Sequence, residues 1–237
     1  MQHIDDFSDR RLGAWCVHCG ATTKGSRDHV PSKVLLDAPF PQNLPVIDVC
    51  APCNQGFSKD EEYLACLLEC AACGSADPSQ VERLNIRRIL EESSALRTRL
   101  EQSVHKSARH DGSTQLIWEP EGERVRRVLL KLARGHASYE LGEHMLDEPN
   151  IVEFCPIHLL GGEERVRFES SPIDGPLAPW PEVGSRAMQR LVSGDDLVNG
   201  WVVVQAFRYR YQATFAGSVH IRMVLRDYLA AEVVWDP

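Results

Sequence analysis

The sequence contains no long apolar run, so nothing in it has the length and hydropathy of a membrane-spanning helix. It also lacks a charged-then-apolar leader, beginning instead Met1-Gln2-His3-Ile4-Asp5-Asp6. Secretion and membrane association are therefore not expected, and a cytoplasmic location is. Positive charge is in short supply too, with 26 Lys and Arg against 34 Asp and Glu and a formal charge of −8. A protein that coats nucleic acid by bulk electrostatics needs the opposite balance, because each phosphate contact uses a cation. Nucleic-acid binding would have to come from a local patch or a partner subunit, whereas catalysis is untouched by net charge. No internal repeat and no low-complexity segment occurs, which excludes solenoids and solvated tails. What remains is an ordinary globular composition in 237 residues. That length suffices for one sizeable core, or for a small metal-stapled module plus a second domain.

Cysteine is the first residue type that is well supplied, with eight in the chain. Four of them form two matched pairs, Cys16-Val17-His18-Cys19 and Cys50-Ala51-Pro52-Cys53. Thiolates two residues apart on a tight turn reach one tetrahedral ion, and two such knuckles separated by a loop are a zinc signature. A disulfide framework is not expected without a secretion signal. A structural Zn²⁺ on Cys16, Cys19, Cys50 and Cys53 is the expectation. His18 lies inside the first knuckle, but two intact cysteine pairs leave it no ligand to replace.

Along the chain, a helix is predicted from the second knuckle through Asp60-Glu61-Glu62 to about Ala72, stopped by Gly74 and Pro78. Asp77 suits an N-cap, and the next helix reads from Val81 to about Val104. Thr114 to Trp118 reads as a strand. Pro120-Glu121-Gly122 then turns into a helix whose Val125, Val128, Leu129 and Leu132 share one buried face. Ile151 to Phe154 is a predicted strand, and the four prolines of 170–181 mark a loop or linker. Trp201 to Tyr211 and Val219 to Val224 alternate as strands, with Gly217 between them, and Val233 to Trp235 adds another. The fold class is α+β: a small metal module at 1–75, a helical middle at 76–150 and an α+β region at 151–237 for substrate or partner binding.

Between the knuckles lie Arg27-Asp28-His29-Val30-Pro31 and Gln42-Asn43-Leu44, and the second knuckle runs directly into Asn54. This order of C-x-x-C, Asp-His, Asn-Leu and C-x-x-C-Asn resembles the HNH family of ββα-metal nucleases over roughly residues 14 to 65. The resemblance implies a zinc-stapled ββα-metal module that cleaves DNA phosphodiesters, to which the patterning adds helices and a C-terminal antiparallel sheet. His29 matches the general base and Asp28 a ligand of the catalytic cation. Asn54 matches a second cation ligand that is more often histidine, and Asn43 the central asparagine that orients the histidine loop. Imidazole titrates near neutral pH, which suits a base for water. The residue types at 28 and 54 make an oxygen-only site that favours Mg²⁺ or Mn²⁺. HNH modules with appended domains occur in restriction, antiviral defence and mobile elements, so a defence role is expected with DNA as partner. The rival reading is a non-catalytic zinc module that binds nucleic acid or a protein subunit.

The chain departs from the family pattern at Phe57, where a lysine is common. Glu61 shares a helix face with Asn54, and a solvated acidic helix explains it better than a ligand role. Cys70, Cys73, Cys155 and His158 also have knuckle-like spacing, but Cys66, Cys70 and Cys73 fall at the spacing of a buried helix face, so core packing is the better account. Two basic groups are in view for phosphates: Arg124, Arg127, Lys131 and Arg134 on one helix, and Arg208 and Arg210 alternating with Phe207, Tyr209 and Tyr211. A solvated face and a half-buried strand account for them more simply.

Overall fold

In the computed structural model the described residues are 14–22, 26–108, 114–170, 181–215 and 217–236. The proline-rich loop expected at 170–181 falls almost wholly outside them. Strands β1 (Ser26–His29) and β2 (Val46–Val49) pair antiparallel, with Asp28 opposite Ile47 and His29 opposite Val46. Helix α1 (Ala51–Gly56) follows at once, with Cys50 as N-cap and Pro52 in its first turn, where a missing N–H costs nothing. The single helix expected here is broken at Phe57, after the poor helix former Gly56, and resumes as α2 (Ser58–Cys73). Gly74 ends α2 at φ 75°, the left-handed conformation that favours glycine.

Asp77 caps a short 3₁₀ turn over Pro78–Gln80 rather than a long helix, accepting a hydrogen bond from the Ser79 N–H at 2.9 Å. Ser93 then divides the predicted helix into α3 (Leu84–Glu92) and α4 (Ser94–Ser103), its hydroxyl accepting from the Leu96 N–H. A hairpin of β3 (Val104–Ala108) and β4 (Thr114–Trp118) leads into α5 (Gly122–His136), which continues as a π turn over Ala137–Leu141. Next come β5 (Ile151–Pro156), α6 (Gly162–Glu169), α7 (Arg186–Ser193) and β6 (Leu197–Val198). Strands β7 (Trp201–Gln205), β8 (Tyr209–Phe215), β9 (Val219–Leu225) and β10 (Leu229–Trp235) complete a six-stranded antiparallel sheet of order β5-β10-β9-β8-β7-β6. The fold is α+β, as the patterning implied.

Helix α5 is the pivot of the molecule. Val125, Val128, Leu129 and Leu132 are fully buried, and α5 packs against α2 as well as β9 and β10. One continuous core runs from Leu35 and Leu36 through α2 and α5 to Trp235. The cysteine module has only a small core of its own: Cys16, Val17, Val30, Ile47 and Val49. So few apolar side chains bury too little area to hold a module together, which is the situation a metal staple answers. Where α5 ends, a polar network is enclosed. Arg190 forms a bidentate pair with Glu140 at 3.0 and 3.1 Å, Tyr211 donates to Glu140 at 2.6 Å, and His136 bonds the Tyr209 hydroxyl at 2.8 Å.

Candidate functional site

The first knuckle is a tight turn in which Gly20 donates its N–H to the Cys16 carbonyl at 2.8 Å and takes φ 69°. The second is the N-terminus of α1. Together they bring the Sγ atoms of Cys16, Cys19, Cys50 and Cys53 within 4.8 Å of one another, with Cys19 and Cys50 at 3.7 Å. A tetrahedral ion with metal–sulfur bonds of about 2.3 Å separates its sulfurs by about 3.8 Å, so donor set and spacing fit zinc. All four are free thiols. Burial alone would raise the Cys16 thiol, but backbone hydrogen bonds from Cys50, His18 and Cys19 bring it down to about 7. Burial instead pushes Cys53 up. The cluster can hold a metal ion.

Among the described residues no other group of three or more His, Cys, Asp and Glu side chains is so placed. Cys66 and Cys70 are fully buried in the main core, as their helical spacing predicted, and Cys155 and His158 join no metal-holding group. His18 stays outside the cluster. Its ring is buried edge-on to Phe57 at 5.1 Å, and burial, helped by Lys131 and Arg134, lowers its pKa to about 3.

Beside the cysteine cluster, β1 places Asp28 inward, 9 % exposed, and leaves His29 half-buried. Asn54 reaches the same strand, its side-chain N–H₂ donating to Ser26 Oγ at 2.9 Å and to the Arg27 carbonyl at 3.3 Å. That use of the nitrogen leaves the amide oxygen as the acceptor Asn54 has to offer. Asn43 sits in the turn that leads to Val46, the partner of His29. Burial lowers the His29 pKa, with Lys33 adding to the effect and Asp28 opposing it, so the imidazole is neutral at neutral pH. Arg27 and Lys33, both exposed, flank it.

Compared with known proteins, the chain matches no family model, no curated protein and no solved structure. The chemistry of the site therefore has to be read from its own residues.

Those residues include several that sequence reasoning placed elsewhere. The basic stripe of α5 is paired within the protein, although Arg127 stays exposed. Lys131 is 2 % exposed, and its ammonium lies 2.7 Å from Asp28 Oδ2, 2.7 Å from Ser32 Oγ and against Glu61 Oε1. Arg124 and Arg127 clasp the two oxygens of Asp60 at 2.7 and 2.6 Å. Arg134 donates to the carbonyls of Met145, Leu146, Asp147 and His18. The stripe is thus the seam between α5 and the cysteine module. Glu61, expected on a solvated face, is buried in that seam and also accepts from Ser32 Oγ. Gly135 completes the contact: a Cβ there would stand 2.7 Å from Val30 Cγ2, so only glycine lets α5 lie this close to β1. Most of the strand group is likewise used internally, with Arg208 paired to Asp37, Arg210 to Glu169, and Tyr209 and Tyr211 fully buried, while Phe207 is exposed.

For a divalent cation near Asp28, the donors are oxygen atoms only. Asp28 Oδ2 is shielded against Lys131, and what exposure the side chain retains, 12 %, lies elsewhere on it. The Asp28 carboxylate and the Asn54 amide offer oxygen, the donor type that hard divalent cations take. No helix among the described residues is long and apolar enough to cross a membrane.

Proposed function

We propose that this chain is a divalent-cation-dependent endonuclease of HNH type that hydrolyses DNA phosphodiesters. In this reading Cys16, Cys19, Cys50 and Cys53 hold a structural zinc that sets α1 against the β1–β2 hairpin. The observation that carries the proposal is the hydrogen bonding of Asn54, on α1, to Ser26 and Arg27 of β1, the strand that also bears Asp28 and His29. The neutral imidazole of His29 takes a proton from the attacking water. Asp28 and the Asn54 oxygen would hold Mg²⁺ or Mn²⁺, which would supply positive charge to the phosphate oxygens during hydrolysis. Asn43 steadies the loop opposite His29, and exposed Arg27 and Lys33 offer cations to the flanking phosphates. A restriction or antiviral defence setting goes with this reading.

A second reading, a non-catalytic metal module that docks nucleic acid or a protein, draws on the engagement of Asp28 by Lys131. One assay separates them: plasmid nicking with Mg²⁺ or Mn²⁺, wild type against His29→Ala, with metal content and circular dichroism matched. Loss of the general base is expected to slow cleavage by about a hundredfold or more. Equal rates, or no cleavage by the wild type, decide for the second reading.

A further inference from the structure

We infer that Lys131 is a positioning residue of the proposed hydrolytic centre, whose buried ammonium fixes Asp28 and holds down the centre's affinity for a divalent cation. The inference rests on the reading of Asp28 as a cation ligand. It goes beyond that reading by bringing α5, far outside the motif region, into the centre.

The Lys131 ammonium donates to Ser32 Oγ at 2.7 Å and to Glu61 Oε1, and it forms an ion pair with Asp28 Oδ2 at 2.7 Å, an oxygen that is buried and accepts no hydrogen bond. The side chain is 1 % exposed, and the face of Phe57 lies 5.8 Å from Nζ. Burying a cation this deeply is unfavourable unless opposite charge surrounds it, and two carboxylates meet that need. The converse matters more for function. Asp28 and Glu61, 12 % and 11 % exposed, would repel each other without a cation between them. The position that a metal ion would be drawn to is filled by the chain's own charge. Formal charges of −2 from the carboxylates and +1 from Lys131 leave −1 at the centre.

The ammonium has no easy way out. Helix α5 is fixed in the main core by Val125, Val128, Leu129 and Leu132, and Gly135 seats it against Val30 and Ile47. An arriving divalent cation therefore meets a fixed like charge on the other side of Asp28. At an effective dielectric near 20, a unit charge a few ångströms away changes the binding of a second charge by at least about tenfold. The same contact keeps the Asp28 carboxylate in one orientation, with Oδ2 turned inward.

The test is a Mn²⁺ titration of the zinc-loaded full-length protein without nucleic acid, following free Mn²⁺ by electron paramagnetic resonance. Lys131→Met should bind Mn²⁺ at least about tenfold more tightly than wild type. Lys131→Arg should stay near wild type, and adding Asp28→Asn should remove the gain. Lys131→Gln, shorter but still polar, also removes the charge, so it should show the same tightening and decides the matter if the methionine variant misfolds. Unchanged or weaker Mn²⁺ binding in a folded Lys131→Gln protein overturns the inference, as does a gain that survives Asp28→Asn. The titration reads no cleavage, so the nuclease reading stands or falls separately on the His29→Ala comparison.

Discussion

Replacing Gly135 with alanine sets two effects of known size against each other. Intrinsic helix propensity favours alanine over glycine by about 0.8–1.0 kcal/mol in a helix interior. Against this, the new Cβ would stand 2.7 Å from Val30 Cγ2, 3.1 Å from Val30 Cγ1 and 3.3 Å from Ile47 Cδ1. Comfortable carbon–carbon contact begins near about 3.5 Å, so at least one of these groups has to move. Val30 is 1 % exposed and β-branched, and cannot swing aside as a long side chain would. Overpacking of this kind costs about 1–3 kcal/mol. The balance predicts that Gly135→Ala destabilises by about 1 kcal/mol despite its better propensity. Urea denaturation of the single variants Gly135→Ala and Val30→Ala and of the double variant measures it. Val30→Ala alone removes two buried methyls and costs about 2 kcal/mol. In the double variant the methyl added at position 135 enters the vacated space, so the pair should be less destabilised than the sum by about 1–2 kcal/mol. A more stable Gly135→Ala protein, or strict additivity, would refute the close approach of α5 to β1.

Two further outcomes are expected. Stripping metal with a strong chelator, or Cys50→Ser, should release one equivalent of zinc and deprotect the backbone amides of 14–56 in hydrogen exchange while β7–β10 stay protected; unchanged protection of 14–56 would show that the module needs no metal. His136 is fully buried, and burial lowers its pKa from 6.5 to about 3, so the unfolded chain takes up a proton that the folded one refuses. Its contribution is complete above pH 6.5 and is lost as pH falls toward 3, amounting to about 2 kcal/mol by pH 5. His136→Gln should flatten that fall in urea midpoints between pH 7 and pH 5, and an equal slope in both proteins would count against a neutral buried histidine.

Features decided within a few residues were legible in the sequence. The two C-x-x-C spacings foretold a four-sulfur cluster because two residues on a tight turn leave the thiols nowhere else to go. The apolar period of Val125, Val128, Leu129 and Leu132 marked the buried face of α5, and the cysteines of α2 were read correctly as core from the same kind of spacing. Less could be read where the chain broke a local rule. Trp201 to Tyr211 alternates without a glycine, yet it is two strands, because Phe207 adopts φ 61° in a turn that the pairing of β7 with β8 holds in place. The pairing of the stripe on α5, and the burial of Lys131 within it, lay beyond sequence reasoning altogether. Arg124, Arg127, Lys131 and Arg134 present the same period whether they face water or acid, since periodicity records which residues share a face and not what that face meets. Tertiary packing settled it by bringing Asp28, Asp60 and Glu61 to that face. A buried ammonium is tolerable only with such partners, and these lie far from it along the chain, where no local pattern can register them.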